Sequence, residues 1–336
     1  MKSREIFLNT LNRTPLERRP VVNPTSVATL ELMDETGCYF PEAHLNAERM
    51  ATLAGAGYEV LGFDTIAPIF SVVHESAALG CEIDWGAANR MPQVKGVLCR
   101  EPDEIEIPEN FLDSKYVQTP IRAIELIRKK YGDDVAIIGK VFGPWTLAYH
   151  LFGVDNFLME LRLNPDKVRR ILDKLKEIPV IYAEPQIEAG ADSITLADHA
   201  TGDLCGPEDY RDFLMPIHKE LAERIKIPLI LHICGDTKDR LRYICKTGVA
   251  AFHFDSKVDA YEAKKIVNDD IILIGNINNP GTLLLGNEED VRRETLRAMD
   301  AGIDMIAPEC AVPLETKNRN LRAISETVKN EQKELS

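Results

Sequence analysis

Positive charge is what this sequence is short of. Its 336 residues carry 40 lysines and arginines against 54 aspartates and glutamates, a formal net charge of −14. That balance argues against a general nucleic-acid binder and against an anionic membrane surface. A protein partner can still dock locally. Long apolar runs are also missing, and none approaches the ~20 residues a membrane-crossing helix needs. The first residues, Met-Lys-Ser-Arg-Glu-Ile-Phe-Leu-Asn-Thr-Leu, are broken by charge and lack the apolar segment of a secretory signal. They predict an amphipathic helix capped by Ser3, with Ile6, Phe7 and Leu11 inward. Cysteine is sparse. The seven present, at positions 38, 81, 99, 205, 234, 245 and 310, are odd in number and scattered, which favours reduced thiols and a cytoplasmic chain.

No Pro/Ser-rich linker divides the sequence, so residues 1–336 are expected to form a single domain with an N-terminal helical extension. Within it, short apolar runs alternate with helical stretches. Strands are predicted near 21, 65, 136, 193, 229, 251, 272 and 304. Helices are predicted over about 45–58, 120–131, 166–188 with a kink near Pro179, 207–224, 260–267 and 288–301, and a last one begins near Asn318. The stretch from Glu75 to Pro108 shows no clear period and reads as an excursion. Eight strands in alternation with helices predict an α/β fold, a (β/α)8 TIM barrel.

In that architecture the carboxyl ends of the strands form the active-site face. His232, Cys234, Asp198, His199, Asp255, Asn276 and Cys310 all fall at such ends. His232 and Cys234 close the run Ile-Pro-Leu-Ile-Leu-His-Ile-Cys-Gly, and side chains two apart on a strand point the same way. Nitrogen plus sulfur ligands suit zinc, and a pair needs a third protein ligand from elsewhere; Cys310 is the best candidate. Asp198 and Asn276 are candidates to orient a substrate or a ligand's other ring nitrogen, or to cap helices and brace loops. Lys140, on the third strand, is the candidate cation for an anionic substrate group. Tyr149 and His150 read as packing or surface groups. Glu309 reads as either a fourth zinc ligand or a solvated loop carboxylate.

Phe142-Gly-Pro-Trp-Thr-Leu-Ala, Tyr182-Ala-Glu-Pro-Gln-Ile-Glu-Ala-Gly-Ala-Asp192 with Asp198 beyond it, and Gly275-Asn276 followed by Pro280 and Thr282-Leu-Leu resemble the shared scaffold of the uroporphyrinogen decarboxylase superfamily. Leu231-His-Ile-Cys-Gly235 and Ala307-Pro-Glu-Cys-Ala-Val-Pro-Leu314 resemble the zinc-ligand segments of its methylcobamide:coenzyme M methyltransferase branch. The stretch after Pro20 holds none of the arginines expected of a true decarboxylase. The resemblance implies one Zn2+ per chain on His232, Cys234 and Cys310, a methylcobamide carried by a separate corrinoid protein as methyl donor, and a small-molecule thiol, coenzyme M first, as acceptor. The chain departs from the branch in having Glu309-Cys310-Ala311 where Gly-Cys-Gly is expected, which leaves the acceptor open. Tetrapyrrole decarboxylation, methylcobamide:tetrahydrofolate methyl transfer, and a non-enzymatic zinc barrel that binds a corrinoid partner or senses a thiol stand as alternatives.

Overall fold

The structure is a computed structural model and describes residues 1–335. Each of the eight expected strand segments takes part in parallel pairing. In chain order the strands are β1 (Thr65–Ile66), an outlying hairpin of β2 (Glu82–Asp84) and β3 (Gln93–Lys95), then β4 (Ala136–Phe142), β5 (Ser193–Ala197), β6 (Leu229–Ile233), β7 (Ala251–Phe254), β8 (Ile272–Ile277) and β9 (Met305–Pro308). Seven of them form one sheet in the order β1-β4-β5-β6-β7-β8-β9. The segment at Val21 closes the ring between its two edges. Val21 bridges Ile306 of β9, and its carbonyl accepts the Asp64 amide at 2.7 Å on the β1 side. The result is the expected (β/α)8 barrel.

Parallel strands covered on both faces carry nearly continuous apolar sequence, and every position of β4 through β9 is buried. The barrel interior is filled by Ala136, Ile138, Ile230, Ile272, Ile274 and Met305, and Phe7 from the first helix packs into the same cluster. That helix, Ser3–Leu11, thus closes the amino-terminal end of the barrel and leaves the carboxyl ends of the strands for chemistry. Among the described residues no helix is long and apolar enough to cross a membrane.

Local competition explains where expectation and structure differ. Ser3 does not cap the first helix. Its hydroxyl donates to Asp64 Oδ1 at 2.6 Å, while Glu5 accepts the Lys2 amide and closes the helix start. The helix expected from Pro120 begins earlier, at Lys115. The break expected at Pro179 lies at Lys176, between helices Pro165–Leu175 and Glu177–Glu188. Pro179 falls in the first turn of the second helix, where the missing amide hydrogen costs nothing. The 75–108 excursion folds into a short helix, His74–Ala78, and the β2–β3 hairpin.

Asp64 is the fastener of the first segment. Besides Ser3 it accepts both guanidinium nitrogens of Arg18, at 2.6 and 2.5 Å, and the Val21 amide at 2.8 Å. Its own side chain is 1% exposed and that of Arg18 13%. Breaking a buried pair by removing one partner costs about 3–5 kcal/mol. Asp64→Ala is therefore expected to lower the unfolding midpoint by about 4–7 °C for a chain of this length. Thermal unfolding followed by circular dichroism checks this, and a shift below ~1 °C would refute the role given to Asp64.

Candidate metal centre

The three sequence-predicted ligands meet. His232 stands on β6 facing into the barrel, Cys234 follows just beyond the strand end, and Cys310 lies two residues past β9. Gly235 has φ +79°, and a Cβ there would sit 2.1 Å from Thr201 Oγ1, so only glycine lets the chain turn away directly after Cys234. Its amide donates to Asp255 Oδ2 at 2.9 Å, fixing the turn. His232 Nε2 lies 2.9 Å from Cys234 Sγ and 3.4 Å from Cys310 Sγ, and the sulfurs are 3.1 Å apart. All three donor atoms fall within 4.8 Å of one another. All seven cysteines are free thiols.

The donors have the chemistry a zinc ion needs. His232 Nδ1 is 3.2 Å from the carbonyl oxygen of His253. A carbonyl can only accept, so Nδ1 carries the hydrogen and the Nε2 lone pair is left toward the sulfurs. The sulfurs share a proton unequally. The bond from Cys234 holds the Cys310 thiol well below its usual range, and that same bond together with burial pushes Cys234 up. A cation held between them favours the thiolate form of both sulfurs.

The three donors line a cavity of about 520 Å³ at the barrel mouth, whose wall includes Thr25, Phe70, Val72, Lys140, Phe142, Thr146, Asp198 and His199. Lys140 is 3% exposed and donates to the Thr25 carbonyl at 2.8 Å. Burial lowers its pKa to about 8, against the opposing pull of Glu75 and the two thiols. Glu75, fully buried behind it, is pushed up to about 7 by desolvation, and its Oε1 accepts the Phe142 amide at 2.9 Å.

The other expected residues separate. Asp198 lines the cavity, but both oxygens are engaged: Oδ1 accepts the Thr146 amide at 2.8 Å and its hydroxyl at 3.1 Å, and Oδ2 faces His218 Nε2 at 3.0 Å. Its side chain caps the helix Pro144–Phe152 from outside and does not reach the His232 ring; the contact with His232 is a main-chain one, the Asp198 amide donating to the His232 carbonyl at 3.0 Å. Asn276 is not in the cavity wall, and its amide donates to the Val258 carbonyl at 2.9 Å, bracing the loop after β7. His253 takes the position beside His232 that had been open to Asp198 or Asn276. Glu309 is no solvated loop carboxylate, being 5% exposed, and its oxygens accept the Asn279 amide at 2.8 Å and the Ser256 amide at 3.0 Å. Those bonds turn it away from a ligand role, and burial raises its pKa.

Tyr149 and His150, expected as packing or surface groups, both line the cavity. His150 Nδ1 pairs with Ser76 Oγ at 2.7 Å, and desolvation lowers its pKa to about 4. His199 stands exposed at the rim. Pro92, Gln93, Val94 and Gly96, from the aperiodic excursion, supply one wall that the sequence did not reveal.

Comparison with known proteins agrees with the fold. The chain is 35% identical over 321 residues, 95% of each sequence, to the methylcobamide:CoM methyltransferase MtaA of Methanosarcina barkeri. It is 33% identical over 332 residues, 97% of each, to the methylcobamide:CoM methyltransferase MtbA of Methanosarcina acetivorans. A solved methyltransferase from Methanosarcina mazei superposes with a TM-score of 0.95 at 32% identity, covering 98% of this chain and 99% of that one. The family model for uroporphyrinogen decarboxylase (URO-D) matches residues 2–331, so His232, Cys234 and Cys310 all lie inside the matched region, and the chain belongs to the URO-D family.

Proposed function

We propose that this protein is a zinc-dependent methyltransferase that moves a methyl group from a protein-bound methylcobamide to a small thiol, with coenzyme M the best-supported acceptor. The observation that carries the reading is the convergence of one imidazole nitrogen and two sulfurs within 4.8 Å in the wall of the mouth cavity. It is supported by identity of 33–35% along almost the whole chain to enzymes named methylcobamide:CoM methyltransferases. In this reading the chain works as one barrel domain in the cytoplasm, where its free thiols persist.

His232, Cys234 and Cys310 would hold one zinc ion, which supplies a Lewis-acidic position where a thiol loses its proton and becomes nucleophilic at neutral pH. Lys140 meets the anionic tail of the acceptor from the same cavity wall. Phe70, Val72, Val94 and Phe142 keep water from the reacting sulfur. The sulfur lone pair forms the new S–C bond while the C–Co bond of the donor breaks, its electron pair staying on cobalt and the thiol proton leaving to solvent. A cavity of about 520 Å³ suits a small thiol but not a whole corrinoid with its carrier, so the corrinoid protein covers the mouth from outside. Among the described residues no arginine lines the cavity, which weighs against a tetrapyrrole bearing many carboxylates.

The test is demethylation of methylcobalamin, followed by corrinoid absorbance, with coenzyme M, homocysteine and tetrahydrofolate offered in turn. Expected is turnover with thiols, fastest with coenzyme M, lost on chelation and restored by added zinc. Turnover indifferent to chelation, transfer to tetrahydrofolate alone, or carbon dioxide release from uroporphyrinogen would each overturn the reading.

A further inference from the structure

The two halves of the metal centre come from strands that are not neighbours. His232 lies on β6 with Cys234 just beyond its end, and Cys310 follows β9, with β7 and β8 standing between them in the sheet. Side-chain donors that must share one ion to within tenths of an ångström need something that fixes the distance across that gap. We propose that His253, on β7, is a positioning residue that sets this distance and the aim of His232; the inference rests on the zinc reading above.

His253 is the register partner of His232, so the two side chains stand on the same face of the sheet, with rings 4.5 Å apart at 34°. Its backbone carbonyl accepts the His232 Nδ1 hydrogen at 3.2 Å. Its ring Nε2 lies 2.8 Å from the carbonyl oxygen of Pro308, two residues before Cys310. One residue therefore touches both halves: its main chain turns the imidazole toward the sulfurs, and its side chain grips the segment that delivers the second sulfur. The next residues of the same segment repeat the pattern, Asp255 accepting the Gly235 amide and Ser256 donating its amide to Glu309. The end of β7 is thus tied to the residue after Cys234 on one side and to the residue before Cys310 on the other.

The chemistry of the ring points the same way. A carbonyl partner requires the hydrogen on Nε2. Nδ1 is then a buried acceptor with no hydrogen-bond partner, a cost that an apolar side chain at this fully buried position would avoid. A locally unfavourable residue is kept where it does something for a site. His253 is not in the cavity wall, so it acts through the ligands and not on substrate.

The test compares zinc-loaded wild type with His253→Phe, which keeps the ring volume and loses the bond, and with His253→Gln, whose amide N–H can reach the Pro308 carbonyl. Zinc affinity is read by competition with a chromophoric chelator and site geometry by the thiolate-to-metal bands of the cobalt(II)-substituted protein. His253→Phe is expected to bind zinc about ten- to a hundredfold more weakly with shifted cobalt bands, as for other residues that orient metal ligands. His253→Gln should recover affinity to within about threefold, on the scale of a single restored hydrogen bond. The inference is overturned if His253→Phe matches wild type in affinity and spectrum, or if His253→Gln loses as much as His253→Phe. Wild-type protein that takes up no zinc would remove the zinc reading itself, an outcome distinct from either.

Discussion

Cys310→Ala is expected to weaken zinc binding by roughly a hundred- to ten-thousandfold and to abolish methyl transfer with it. Zinc held by a few protein ligands is worth about 10–16 kcal/mol, so each of three shares about 3–5 kcal/mol. The loss should fall on the metal and not on the fold. Cys310 is half-buried, the side chains its sulfur meets are those of Cys234 and His232, and the barrel strands on either side are held by their own ladders. Cys310→Ser should sit between the wild type and Ala, since a hydroxyl is a harder and less acidic donor. Cys245→Ala, at the end of the helix Leu241–Ile244 and outside the ligand group, should change neither zinc content nor rate. Equilibrium dialysis against zinc and the methylcobalamin assay give both numbers. Stoichiometric zinc with an undiminished rate in Cys310→Ala would end the case for a metal centre.

The meeting of His232, Cys234 and Cys310 was legible because two regularities act together. A strand of period two places His232 and Cys234 on one side, and a barrel brings every strand end to one mouth, so the 76 positions from Cys234 to Cys310 are no obstacle. The strands themselves show as short apolar runs because parallel strands are buried on both faces. The wall of the cavity was hidden for the opposite reason. β2 and β3 are three residues each and mostly exposed or half-buried, so they leave no apolar period to read. In the helix Pro144–Phe152 all but one residue is buried, so no polar stripe tells which side Tyr149 and His150 face. His253 was lost inside Ala-Phe-His-Phe, a run that looks like any core strand. Of the two roles open to Asn276 the structure shows loop bracing, and Glu309 went astray, because backbone groups, invisible in a list of side chains, claim their polar atoms.

Lys140→Met is expected to cut kcat/KM for an anionic thiol by roughly thirty- to several thousandfold while leaving zinc content unchanged. The range corresponds to about 2–5 kcal/mol for removing one partner of a buried charge pair. An uncharged thiol such as 2-mercaptoethanol should lose little, since nothing in it meets Lys140. The same residue predicts a pH profile. Burial has brought the lysine down to about 8, so the cation is present below that pH and is lost as pH rises through it. Glu75, raised to about 7, ionises over the same range and sets an anion near Lys140, so both titrations weaken the hold on an anionic tail in the same direction. The neighbouring imidazoles do not interfere. His74, lowered by burial to about 3, and His44, also far below its usual value, stay neutral throughout. In wild type, kcat/KM for the anionic thiol should therefore fall up to about tenfold per pH unit above 8 relative to the uncharged one, and Lys140→Met should erase the difference. A ratio between the two thiols that stays constant to pH 9, or a Met variant equally impaired with both, would move the anion contact to some other group.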